Sequence, residues 1–191
     1  MITILAATSI PLITRQMRDR RTQEAAQRVA SLYRDARMRA MGRGSAMLVR
    51  YTPGTRGRFE IREAQRGSTD SPTGSSSAAC SALPVSSCLT PDWNGAVDDE
   101  YRILTYLDLA NRGEYDRLNI DLLNESKTPL STLDICFTPM GRAFSRSNLA
   151  QNLQPLTSAH VAEVYRAEGS NRLGRTRRVL ILPTGSSRIY L

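Results

Sequence analysis

Between Ala25 and Ala40 the apolar residues recur every third or fourth position. Ala25, Val29, Leu32, Tyr33, Ala36 and Ala40 fall on one stripe, the pattern of a helix with one buried face. Arg18, Arg20, Arg21, Arg28, Arg34, Arg37 and Arg39 fill the other positions. Upstream, residues 1–13 are almost uncharged. Residues 2–43 therefore read as one helix, punctuated at its end by Gly42 and Gly44. About 40 residues at 1.5 Å each run roughly 60 Å. That exceeds the width of a small domain, so part of the helix is expected to project. Pro11 lacks an amide hydrogen and is expected to kink or locally open the helix.

Beyond Gly44 the pattern shortens. Residues 46–51 and 58–62 flank Pro53-Gly54, a hairpin signal. Residues 101–107, 117–122, 133–137, 159–166 and 177–182 are strand candidates, and 187–191 closes a last hairpin after Pro183-Thr184-Gly185. Residues 67–87 are rich in Ser, Thr, Gly and Pro and have no period, so a long mobile loop is expected over about 67–99. One helix followed only by strands predicts an α+β protein: one long N-terminal α-helix, residues 1–44, packed against an antiparallel β-sheet head, residues 45–191.

Charge adds a second layer. The net charge is +8, nearly all of it arginine, with Lys127 the only lysine. Residues 1–66 carry +9, residues 67–134 carry −7 and residues 135–191 carry +6. A basic helix and a basic C-terminus flank an acidic middle, which suits contacts between neighbouring subunits and also a localised anion site. Cys80 and Cys88 share the Ser/Pro-rich loop, where a local disulfide would be useful, while Cys136 in its apolar strand reads as a buried thiol. A lone His160 cannot supply a zinc site, and Asp98-Asp99-Glu100 reads as a solvated turn, so no metal and no cofactor are expected. Nor does any nucleophile motif accompany His160, so no catalytic residues are assigned and an enzyme is not expected.

Ile4-Leu5-Ala6-Ala7-Thr8-Ser9-Ile10-Pro11 resembles the run that ends the hydrophobic half of type IV pilin helices. The strand and turn Ile135-Cys136-Phe137-Thr138-Pro139-Met140-Gly141-Arg142, with the closing hairpin from Arg178 to Ile189, is similar to the GspH/FimT-type minor pilins and pseudopilins. The resemblance covers the helix and both terminal hairpins, but not residues of about 67–130. It implies a structural subunit of a type IV pilus or a type II secretion pseudopilus that primes assembly or forms the tip complex. The implied partners are other pilins, and the implied location is the inner membrane and periplasm, then the filament. Ile2, Ile4, Leu5, Ile10, Pro11, Leu12 and Ile13 would be the filament and membrane helix. Residues 1–13 are too short to span a bilayer, which takes about 20 apolar residues. The family's Gly-Phe-Thr-Leu-Ile-Glu processing motif does not occur, and the expectation is that the membrane segment begins upstream of Met1.

The second candidate surface is basic. Arg172, Arg175, Arg177 and Arg178, with Arg188 on the adjoining strand, could track a phosphate backbone without reading sequence. FimT-like pilins of DNA uptake carry a C-terminal Gly-Arg-x-Arg string, and Gly174-Arg175-Thr176-Arg177 resembles it one strand early. The alternative function is therefore DNA binding during natural transformation, set against plain solvated arginine.

Overall fold

The computed structural model describes residues 2–66, 83–95, 97, 100–110, 115, 117–169 and 171–190; for 2–16, 66 and 83 only the backbone is described. The helix α1 (Ile2–Arg43) runs unbroken through Pro11, so the missing donor there does not end it. Its stop is glycine-made. Gly44 has φ +71° and donates its amide hydrogen to the Ala40 carbonyl, 3.1 Å away, in the left-handed conformation that ends helices without a Cβ penalty. No helix of the described residues is long and apolar enough to cross a membrane.

Eleven strands follow among the described residues. They are β1 (Met47–Thr52), β2 (Arg58–Arg66), β3 (Leu83–Pro84), β4 (Tyr101–Asp108), β5 (Leu118–Leu123), β6 (Leu133–Phe137), β7 (Ala143–Arg146), β8 (Gln154–Pro155), β9 (His160–Glu168), β10 (Asn171–Ile181) and β11 (Ser187–Tyr190). One sheet has the order β3-β2-β1-β6-β7-β8, with β4 also on β2, and the other has the order β11-β10-β9-β5. Every pairing between these strands is antiparallel. The expected α+β architecture holds, with the head divided into two sheets. The helix packs across both, touching β1 and β6 of the first and β9, β10 and β11 of the second.

The helical stripe does the work its spacing predicts. Ala25, Ala26, Val29, Ala30, Tyr33, Ala36 and Ala40 are fully buried, against Val49, Tyr51, Ile61 and Ile135 from the first sheet and Ala162, Val164, Val179 and Ile181 from the second. Small residues on the stripe let the helix lie close to the strands, and Tyr33 fills the centre edge-on to Phe59. Gly185 joins the two sheets. It turns the β10–β11 hairpin at φ +74°, and a Cβ there would come within 2.7 Å of the Phe137 ring on β6. Only glycine meets both demands.

The first sheet is buried on its other face too, which is why β1 and β6 are nearly continuous in burial. Leu48, Ala64, Trp93, Tyr101, Cys136 and Leu153 form that second cluster. Its lid is residues 83–95, and hydrogen bonds hold that segment. The Ala46 amide donates to the Val85 carbonyl, Trp93 Nε1 donates to the Cys88 carbonyl, and Arg62 donates to the Trp93 carbonyl. A disulfide joins Cys88 to Cys136, with Cα atoms 6.0 Å apart. This corrects two expectations: Cys88 does not pair with Cys80, and Cys136 is not a free thiol. The cause is strand alternation. Ile135 faces the helix, so Cys136 faces the opposite way, beneath the loop that carries Cys88. Cys80, with the rest of residues 67–82, lies outside the described residues.

Candidate functional site

The first candidate is the start of the helix. The backbone of Ile2, Ile4, Leu5, Ile10, Pro11, Leu12 and Ile13 is helical, and their side chains lie outside the description. Among the described side chains the buried stripe begins at Thr22; Met17, Arg18, Arg20 and Arg21 are exposed. At the far end the helix is anchored by Glu63. This buried carboxylate of β2 accepts hydrogen bonds from Arg43, Arg102 and Ser45.

The second candidate is the C-terminal arginine set, and the structure does not bring its members into one cluster. Residues of β10 alternate between the helix-facing and outward faces of the second sheet, with a register shift between Leu173 and Arg177. Arg172 and Arg178 point outward onto acids of neighbouring strands. Arg172 donates to Glu163 and to Asp121, 2.9 Å each, and lies 4.0 Å over the Tyr165 ring. Arg178 donates to Glu163 over 2.8 Å, and Tyr165 donates to Asp121 over 2.8 Å. Two cations and two anions thus cancel. Arg177 shares the helix-facing side with Val179 and Ile181, half-buried, its Nε without a partner. Arg175 stands in the irregular segment and Arg188 on the outer edge strand, both exposed. The acids that neutralise Arg172 and Arg178 come from β5 and β9, far away in sequence, which is why spacing alone could not reveal them.

The acidic partners are held in their charged form. Burial pushes the Glu163 pKa up, but hydrogen bonds from Arg172 and Arg178 outweigh burial and leave it below the ordinary value. Glu63 behaves the same way: burial raises it, and Arg102, Ser45 and Arg43 bring it lower. His160 is buried, with an unpartnered Nδ1, and burial lowers its pKa. Among the described residues no nucleophilic side chain is hydrogen-bonded to it. Asp98 and Asp99 lie outside the described residues, and no group of acids, histidines and cysteines among the described ones could hold a metal.

These directions set the pH dependence of stability. A buried histidine with a lowered pKa binds its proton more readily when unfolded, so stability falls as pH drops below its ordinary 6.5. Carboxylates with lowered pKa values stabilise above their ordinary 4.5, and that contribution is lost as pH falls through the folded values. Urea unfolding between pH 8 and pH 3 is expected to show two declines. His160→Gln removes the upper one only; the double variant Glu63→Gln and Glu163→Gln flattens the lower one. A profile unchanged in either variant contradicts the assignment.

A feature that the periodicity leaves unmarked is the buried ion cluster of the first sheet. Asp134, fully buried on β6, accepts two bonds of 2.8 Å from Arg50 on β1 and one of 2.8 Å from Arg146 on β7. Asn94 accepts from both arginines. The signal was present: an acid inside an otherwise apolar strand, Leu133-Asp134-Ile135-Cys136-Phe137. The cluster is three cross-strand neighbours satisfying one another, and its role is structural.

Compared with known proteins, the chain matches no family model, no curated protein and no solved structure.

Proposed function

We propose that the chain is a minor pilin or pseudopilin, a non-enzymatic filament subunit of a type IV pilus or type II secretion pseudopilus. One observation carries the reading. A 42-residue helix packs on an antiparallel head, its buried residues starting at Thr22 among the described side chains, and its apolar sequence precedes that stretch. An apolar sequence placed ahead of the stretch that packs into the head suits packing among equivalent helices, with the β head facing outward. The resemblance of the helix and terminal hairpins to the GspH/FimT type supplies the priming or tip role. The disulfide adds support, since such bonds persist in oxidising compartments such as the periplasm. In this reading the chain passes through the inner membrane and periplasm, and other pilins are its partners.

The test is deletion of residues 2–13. The truncated chain is expected to keep the thermal transition of the head and to be lost from filaments of co-expressed pilins, scored by immunolabelling. Collapse of the fold, or undiminished incorporation, contradicts the proposal. The DNA-uptake alternative has less to stand on, because carboxylates hold two of its five arginines. It demands a gel shift that weakens steeply with salt and that disappears when Arg175, Arg177 and Arg188 are replaced together.

A further inference from the structure

Where the helix crosses the second sheet, four arginines line one cleft. Arg18 and Arg21 enter from α1, Arg117 from the turn before β5 and Arg166 from β9; Leu118 completes the wall around a volume of about 290 Å³. Arg166 continues the helix-facing row of Ala162 and Val164 on β9 and is half-buried. Arg117, in a left-handed conformation at φ 64°, is bonded to Glu168. Among the described residues no carboxylate pairs with the guanidinium groups of Arg18, Arg21 or Arg166. Asp19 sits in the adjoining cleft beside Gly174. Like charges that converge in a concave space repel one another, and an anion from outside relieves that. The contrast within the same chain is sharp: Arg50, Arg62 and Arg146 each have a carboxylate partner.

We propose that this cleft binds a phosphate-bearing anion, its guanidinium groups donating paired N–H bonds to the phosphate oxygens. The space fits one phosphate group rather than a run of nucleic-acid backbone. Its position favours a lipid source. Arg18 follows Ile13 by five residues, about 7.5 Å along a helix. A bilayer that takes up the apolar run therefore has its headgroups near the level of the cleft, where anionic lipid attracts each nearby arginine. The anion site stands on its own geometry; only the lipid source rests on the filament-subunit reading.

Two measurements on the full chain test this. In the first, inorganic phosphate is titrated while the arginine Nε–H resonances are followed by NMR. Those of Arg18, Arg21 and Arg166 are expected to shift together and saturate. In the second, partition into phosphatidylcholine vesicles is compared with partition into vesicles that also contain phosphatidylglycerol. At least tenfold tighter binding to the anionic vesicles is expected. The triple variant Arg18→Gln, Arg21→Gln, Arg166→Gln loses that preference. Arg34→Gln, Arg39→Gln, Arg142→Gln, which removes the same charge elsewhere, keeps it. A saturating phosphate response with equal partition into both vesicles assigns the site to a soluble phosphate. No phosphate response, together with a triple variant that binds anionic vesicles like the parent, overturns the proposal. A chain that answers phosphate but never enters filaments counts against the filament reading alone.

Discussion

Replacing Asp134 by alanine is expected to cost the head about 3–5 kcal/mol, the range for removing one partner of a buried ion pair. The carboxylate is fully buried and is the anion shared by Arg50 and Arg146, both nearly buried themselves. Without it two guanidinium groups face each other across β6 with only the Asn94 oxygen between them. Desolvation that the pairing had offset is then uncompensated, and like-charge repulsion is added. Asp134→Asn keeps the shape but not the charge, so it is expected to fall nearly as far. The triple replacement Asp134→Leu, Arg50→Met, Arg146→Met is expected to recover most of the loss, because an apolar cluster of similar volume removes the buried charge altogether. Urea unfolding at pH 7 measures all three. A loss below about 1 kcal/mol for Asp134→Ala would show that water reaches the cluster and that its burial is not what holds it.

The helix and most strands of the head were legible because each signal is local. The spacing of Ala25, Val29, Tyr33, Ala36 and Ala40 reports one buried face, and β6 has the bounds that its apolar run indicates. The strands left unmarked, β3, β7 and β8, are two to four residues long. They are strands only because β2, β6 and β7 offer them edges, and an edge created by tertiary structure has no local pattern. The same limit applies to the candidate sites. Arg172 and Arg178 looked free in a basic C-terminal string, yet their partners Asp121 and Glu163 arrive through the β5-β9-β10 pairing. Arg166 belongs to no motif in the sequence, although the alternation Ala162, Val164, Arg166 puts it on the inward row of its strand. The cleft needed the helix to be laid across that row before Arg18 and Arg21 could meet it.

Breaking the disulfide is the other large perturbation. Cys88 and Cys136 are 48 residues apart, and a cross-link of that span restricts the unfolded chain by about 4 kcal/mol in the loop-entropy account. The native side adds to this. The bond ties the segment carrying Trp93 to β6, and Trp93, Cys88 and Tyr101 roof the second cluster on the face of the sheet away from the helix. Reduction leaves that roof held by the bonds of Trp93 to the Cys88 carbonyl and of Arg62 to the Trp93 carbonyl. The reduced protein is therefore expected to unfold at a clearly lower urea concentration, with a stability loss of about 4 kcal/mol. Local opening of the Trp93 segment should precede global unfolding, visible as an early change in tryptophan fluorescence, since Trp93 is the only tryptophan. Cys88→Ser or Cys136→Ser should reproduce the effect without reductant, and Cys80→Ser should leave the oxidised stability and its response to reductant intact. If Cys80→Ser abolished the response, the pairing would instead run through the Ser/Pro-rich loop. The strand alternation that aims Cys136 away from the helix would then have been misjudged, and the second cluster would have to hold its roof by packing alone.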